Sequence, residues 1–168
     1  MLAIVPARAG SQGIRRKNLR VVNGKPLVLG ALDRLRDLEG IDRIVCSTDD
    51  PTVASIARTH GYEVLDRPAP LAGPDVPVSA TASHACAALD WRGPVGVFQC
   101  TSPTLRRETI AAALREFHQG WSSLASVVAF PHIVWDEHGP LVGRANRQQM
   151  DPLWRETGGI QLAVACPL

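Results

Sequence analysis

The chain alternates between two hydrophobic periods. Leu2–Val5 is a short unbroken apolar run that stops at Pro6, the pattern of a strand buried on both faces. Leu27, Leu29, Leu32, Leu35 and Leu38 then recur at helical spacing. They predict a helix over Pro26–Leu38, with Pro26 in its first turn and Gly40 as its stop. Arg43–Ser47 reads as a second strand. Asp50 is placed to cap a helix over Pro51–His60, with Pro51 at the first helical position and Gly61 past its end. Tyr62–Leu65 is a third strand, Pro77–Leu89 an alanine-rich helix, Val95–Gln99 a fourth strand, and Arg107–His118 a helix that stops at Gly120. Leu124–Phe130 and Gly159–Val164 read as later strands. This alternation predicts an α/β domain, a mostly parallel sheet with helices on both faces. Residues 66–77 and 136–153 are the two long loop-like stretches, of a length that tends to be functional or to form small excursions.

Composition narrows the picture. The 168 residues suit one domain over 1–168, and 45% hydrophobic against 20% charged residues argues for a packed core. A formal net charge of +2 is too mild to imply nucleic acid as a partner, so any anion site must be a local cluster. The opening MLAIVPARAG is too short an apolar stretch for a signal peptide or a membrane span, and no membrane partner is expected. Cys46, Cys86, Cys100 and Cys166 show neither C-x-x-C pairing nor zinc spacing. They read as reduced thiols of a cytoplasmic protein.

The segment that leaves the first strand is Val5-Pro-Ala-Arg-Ala-Gly-Ser-Gln-Gly-Ile-Arg-Arg-Lys-Asn18. It follows the carboxyl end of a buried strand, where open α/β sheets bind ligands. Gly10 and Gly13 allow a tight turn whose N–H groups approach an anion, and Ser11 adds a hydroxyl donor. Arg8, Arg15, Arg16 and Lys17 add four cations suited to a polyphosphate. The spacing matches neither G-x-x-x-x-G-K-[ST] nor G-x-G-x-x-G. On spacing alone, a solvated basic turn explains the segment as well as a phosphate loop does.

Longer patterns go further. The segment resembles I-P-A-R-G-G-S-K-G-I-x-x-K-N, and NGKPL at Asn23–Leu27 precedes the first helix as that motif's sequel does. IVCSTDD at Ile44–Asp50 resembles V-x-V-S-T-D-D, and RPAPLAGPD at Arg67–Asp75 resembles R-P-x-x-L-A-x-D with one residue added. FQCTSP at Phe98–Pro103, with Arg106 following, is similar to L-Q-P-T-S-P-L-R, and WRETGGI at Trp154–Ile160 to Y-R-E-N-G-A-I. Six segments in one order resemble the acylneuraminate cytidylyltransferase family, the CMP-sialic acid and CMP-KDO synthetase-like enzymes.

The resemblance implies a Rossmann-like fold of the nucleotide-diphospho-sugar transferase type. It also implies an enzyme, a nucleotidyltransferase that moves CMP from CTP to an oxygen of a small acidic acceptor with Mg²⁺ and release of pyrophosphate. Such chemistry needs the triphosphate charge neutralised and the attacking oxygen held in line. Carried over by motif, Arg8 and Lys17 are catalytic. Ala7, Arg8, Ala9, Gly10, Ser11, Gly13, Lys17, Asp75 and Ser79 bind the nucleotide, and Arg67, Gln99, Thr101, Ser102 and Arg106 face the acceptor. Asp49 or Asp75 is the candidate for the metal. The acceptor is a 2-keto sugar acid (sialic acid or KDO) or, given the brevity of Pro131–Leu153, a smaller hydroxyalkyl phosphonate; relatives in phosphonate pathways are sometimes one domain of a bifunctional chain. A homodimer or a fusion to another catalytic domain is the expected assembly.

Several residues have structural rivals. Asp50 reads as a helix cap rather than a metal ligand, and Asp49 as either a ligand or a turn stabiliser. Thr101 and Ser102 have the rival role of capping the helix near Arg106. Cys100 stands where the family has proline and reads as packing rather than as a nucleophile. Two departures bear on function. Gln12 replaces a lysine of the motif, with Arg15 or Arg16 as the candidates to compensate. The sequence ends at Leu168 before the family's downstream carboxylate pair, so a truncated piece, one domain of a longer chain, or a reduced relative is expected. A module that binds CTP without turnover, in a regulatory or docking role, is the alternative reading.

Overall fold

The computed structural model describes residues 1–10, 13–130, 135–140 and 153–165. In chain order its strands and helices are β1 (Leu2–Pro6), β2 (Val21–Val22), β3 (Lys25–Pro26), α1 (Leu27–Leu35), β4 (Arg43–Thr48), α2 (Pro51–Thr59), β5 (Glu63–Asp66), α3 (Val78–Ala88), β6 (Val95–Phe98), α4 (Arg107–Phe117), β7 (Ser123–Phe130), β8 (Trp135–Asp136), β9 (Gly139–Pro140) and β10 (Leu153–Ala163). Short 3₁₀ turns occupy Lys17–Leu19 and Ala69–Leu71. The expected α/β architecture is present, including the mostly parallel sheet.

Six strands form the main sheet in the order β5-β4-β1-β6-β10-β7. β1 runs parallel to both β4 and β6, and β5 parallel to β4, whereas β10 is antiparallel to β6 and β7. Central β1 alternates its side chains between two cores. Ala3 and Val5 pack with α1, α2 and α4 through Val28, Leu32, Val53 and Leu114, while Leu2 and Ile4 pack with Ala82 and Ala85 of α3. Leu2, Ile4 and Val5 are fully buried, each stabilising the fold by about 1.5–3 kcal/mol relative to exposure. Helices therefore cover both faces.

The differences from the sequence reading are local and physical. Pro26 lies in β3 and stands before α1 rather than in its first turn. α1 ends at Leu35 because Arg36 is extended and Asp37 takes φ 56°, yet Leu38 still packs into the core from the turn beyond. β2 and β3 form a hairpin whose two turn residues, Asn23 (φ 53°) and Gly24 (φ 79°), are both left-handed, the geometry that an Asn-Gly pair favours. The strand read over Gly159–Val164 is only the end of β10, which begins at Leu153 and shifts register between Glu156 and Gln161. Cys46 and Cys100 are free buried thiols, but Cys86 is disulfide-bonded, which corrects the reading of four reduced cysteines. Cys166 and most of 136–153 lie outside the described residues.

Asp50 caps α2 as expected. Its Oδ1 accepts from Thr52 N at 2.8 Å and Val53 N at 3.3 Å, with Pro51 opening the helix. Asp50→Ala should therefore lower stability by about 1 kcal/mol, read as a reduced denaturant midpoint at unchanged slope.

Candidate active site

Because β1, β4 and β6 are parallel, their carboxyl ends open on one edge of the sheet, where α/β folds place ligands. The chain leaving β1 is fastened to the end of β4. Ala7 N donates to Ser47 O at 2.9 Å, Thr48 Oγ1 donates to Ala7 O at 2.6 Å, and Ala9 N donates to Asp49 Oδ1 at 2.8 Å. Further along, buried Asn18 donates from Nδ2 to Arg8 O at 3.0 Å, and Arg8 Nη1 reaches Ala72 O at 3.4 Å. The loop is thus pinned at both ends.

A cleft of about 280 Å³ opens between this loop and the segment after β5. Arg8, Lys17, Asn18, Arg67, Gln99 and Thr101 supply most of its polar wall, and Pro74, Val76, Val78 and Thr81 are among the other lining residues. Arg67 is 8% exposed. Its Nε donates to Ser47 Oγ at 3.2 Å and its Nη2 to Ser47 O at 2.8 Å. Burial pulls the Arg67 pKa below the usual arginine value; Asp49 opposes this, and Arg8 adds to it. Among the described residues none of Arg8, Lys17 and Arg67 forms an ion pair. Three cations without carboxylate partners on one cleft make a site for a multiply charged anion.

The structure brings Arg8, Lys17, Arg67, Gln99 and Thr101 together. It does not bring Asp75, Ser79, Ser102 or Arg106 to the cleft wall. Asp75 and Ser79 are exposed while their neighbours Pro74, Val76 and Val78 line the cleft. Arg106 is exposed at the start of α4, and neither Thr101 nor Ser102 caps that helix. Ala7 is buried, and its N–H and carbonyl are both engaged with β4, as is the N–H of Ala9 with Asp49. Gly10 and Gly13 are exposed, with open space for 4 Å around the point where a Cβ would stand; among the loop's described residues Arg16 is left-handed, at φ 52°. Arg16 points to α2, donating to Thr52 Oγ1 at 3.3 Å, and neither it nor Arg15 lines the cleft. Ser11 and Gln12 lie outside the described residues.

Two polar residues of the wall escaped the sequence reading. Asn18 closes the opening motif yet had no assigned role, and Thr81 follows Val78 by three positions, which puts both on one helical face and leaves Ser79 off it. That periodicity was available in the sequence. Neither carboxylate expected to hold a metal stands in the wall of this cleft. Asp49 faces a second, larger cleft of about 890 Å³ beside α2, with Oδ1 taken by Ala9 N, and Asp75 lines neither cleft. Among the described residues no three His, Cys, Asp or Glu side chains converge.

The cytidylyltransferase family model matches residues 2–139. The chain belongs to the cytidylyltransferase family. It is 34% identical over 137 residues to N-acylneuraminate cytidylyltransferase of Oncorhynchus mykiss, an alignment covering 80% of this chain and 32% of that protein. It is 37% identical over 65 residues to 3-deoxy-manno-octulosonate cytidylyltransferase of Gemmatimonas aurantiaca (strain DSM 14586 / JCM 11422 / NBRC 100505 / T-27), covering 39% of this chain and 25% of that one. The chain thus spans a third or less of these curated relatives. Among solved structures, the CMP:2-keto-3-deoxy-manno-octonic acid synthetase complexed with CTP superposes with TM-score 0.74 at 16% identity, over 97% of this chain and 73% of that one. A 4-diphosphocytidyl-2C-methyl-D-erythritol synthase gives 0.71 at 14% identity over the same shares. These two likenesses establish the Rossmann-like fold. Among the described residues no helix is long and apolar enough to cross a membrane.

Cys100 sits in the cleft wall but is almost fully buried, its Sγ 3.7 Å from Pro6 O, and burial pushes its thiol up to about 12. Cys46, also raised to about 12 by burial, behaves alike. Both should resist iodoacetamide in the folded protein at pH 8 and become labelled as it unfolds. Stoichiometric labelling of Cys100 in the native state, read by mass spectrometry, would contradict its assignment to packing.

Proposed function

We propose that this cytidylyltransferase domain transfers CMP from CTP to an oxygen of a small acidic acceptor and releases pyrophosphate. The observation that carries the reading is the convergence of Arg8, Lys17 and Arg67, unpaired with carboxylates among the described residues, on one cleft at the ends of β1, β5 and β6. Family membership adds support, as does the structural neighbour complexed with CTP. Arg8 and Lys17 hold the triphosphate, with Lys17 at the α-phosphate. Gly10 and Gly13 keep the loop's outer surface clear of Cβ atoms, so a phosphate can approach its backbone.

In this reaction the acceptor oxygen forms a bond to the α-phosphorus, the bond to the β-phosphate oxygen breaks, and pyrophosphate leaves with that electron pair. The acceptor hydroxyl proton passes to solvent. The described cleft lining carries no carboxylate and no histidine, and its thiol stays protonated. What the residues provide is therefore charge neutralisation and alignment. Gln99 and Thr101, which follow β6 on the same cleft wall, take the acceptor. Its acid group is a carboxylate, as in a 2-keto sugar acid, or a phosphonate. Mg²⁺ belongs to this reading as a counter-ion of the triphosphate, and no step here is routed through it. CTP as substrate favours a cytoplasmic location. Val127, Val128 and Trp154, exposed on the β7–β10 ribbon, support contact with a second subunit or a fused domain.

Pyrophosphate release from CTP and Mg²⁺, assayed with sialic acid, KDO and 2-hydroxyethylphosphonate, tests the reaction and identifies the acceptor. UTP in place of CTP tests the base. Lys17→Ala should lower turnover by roughly 10²–10³-fold while leaving the far-UV circular dichroism unchanged. Tight CTP binding without release for any acceptor would replace the enzyme with a CTP-binding module.

A further inference from the structure

Ser102 does not line the cleft, yet it is gripped from two sides. On one side stands Arg34 of α1. Its Nη2 donates to Ser102 O at 3.3 Å and its Nη1 to Pro103 O at 3.4 Å. The guanidinium is half-buried, and its Nε is buried without a hydrogen-bond partner. Its charge is spent on two successive carbonyls rather than on a carboxylate. Each contact is long for a hydrogen bond, but a planar fork on adjacent peptide groups fixes their orientation in a way that a single donor does not.

On the other side lies the irregularity in β10. Between Glu156 and Gln161 the register with β7 shifts, and Gly158 takes φ 67°. The bulge is tied down by Ser126 and Thr157, whose hydroxyl oxygens lie 2.6 Å apart, and by Ile160 N donating to Ser126 Oγ at 3.0 Å. It bears directly on the cleft wall. Gln99 N donates to Gly159 O at 3.3 Å, a Cβ on Gly159 would lie 3.2 Å from Ser102 Oγ, and one on Gly158 would lie 3.5 Å from Gln99 Nε2. Ser102 N in turn donates to Gln99 O at 3.4 Å. Bulges next to sites commonly re-aim side chains in this manner.

We propose that Arg34 and the Gly158–Gly159 bulge are positioning elements that clamp Ser102 between them and thereby set where Gln99 and Thr101 meet the acceptor. The clamp rests on the reading of that wall as the acceptor side. Among the described residues no hydrogen bond or ion pair joins Arg34, Gly158 or Gly159 to the loop that holds the triphosphate, so the clamp tunes acceptor binding separately from CTP binding. Gly159 also sets specificity, because an added methyl group presses on Ser102 and narrows the same wall.

Steady-state kinetics with each substrate varied in turn test this. Arg34→Ala should raise the acceptor KM about tenfold and leave the CTP KM within about twofold. Arg34→Lys, which keeps the stem and one donor, should recover part of the loss. Gly159→Ala should change the ratio of kcat/KM between a small phosphonate and a bulky sugar acid. An unchanged acceptor KM in Arg34→Ala, or CTP and acceptor KM values rising together, would overturn the clamp. Amide hydrogen exchange separates this from the functional reading. In Arg34→Ala the Ser102 and Leu105 amides should exchange faster while those of Ala7 and Arg67 do not. If the wild-type domain turns over no acceptor, the functional reading fails and exchange alone decides the clamp: unchanged rates at Ser102 and Leu105 refute it.

Discussion

The seam between β1 and β4 does not stop where the strands do. Parallel pairing carries Pro6 alongside Ser47, and the same two chains then exchange bonds through Ala7, Thr48 and Asp49. Everything at the site depends on this continuation. It fixes the first residues of the basic loop on a fully buried strand, so Arg8 leaves the sheet in one direction. It also presents Ser47 to Arg67, which arrives from the end of the neighbouring β5. A loop on a flexible support would scatter these cations; here the sheet aligns them.

The electrostatic consequence follows from what the seam leaves unpaired. Taking a charge out of water costs several kcal/mol per ion even after relaxation. Arg67 meets that cost with neutral acceptors on Ser47, and burial holds its pKa below the ordinary arginine value. Arg8 and Lys17 face the same cleft. An anion placed among the three recovers the missing Coulomb energy in surroundings less polar than water. Asp49 is the nearest rival for that charge, and the fold uses one of its oxygens to hold Ala9 N instead. The cytidylyltransferase loop is therefore ordered by a carboxylate that does not fill its anion site.

Much of this was legible in the sequence, and the limits have physical causes. β1 shows as an unbroken apolar run because both of its faces are buried, and α2 shows through Asp50 and Pro51 because caps are local chemistry. The order of strands around β1, and the antiparallel return of β10 between β6 and β7, are tertiary pairings without a local signature. Arg8, Lys17, Arg67, Gln99 and Thr101 were legible by motif, since each lies in a segment that follows the carboxyl end of a strand. Asp75 and Ser79 stand outside the described cleft wall, because a motif gives position along the chain and not the direction of a side chain; on α3 the step from Val78 to Ser79 is a rotation of about 100°. Arg34 was read only as part of a leucine-spaced helix, because its partners are backbone carbonyls 68 and 69 residues away.

The central claim is that the cleft recognises the triphosphate through charge held in place by the β1–β4 seam. Calorimetric titration with CTP and with cytidine, each over a range of ionic strength, tests it most directly. The account predicts that CTP binds about a hundredfold or more tightly than cytidine and that its affinity falls as salt is raised. Cytidine binding as tightly as CTP, or CTP affinity indifferent to salt, would contradict it.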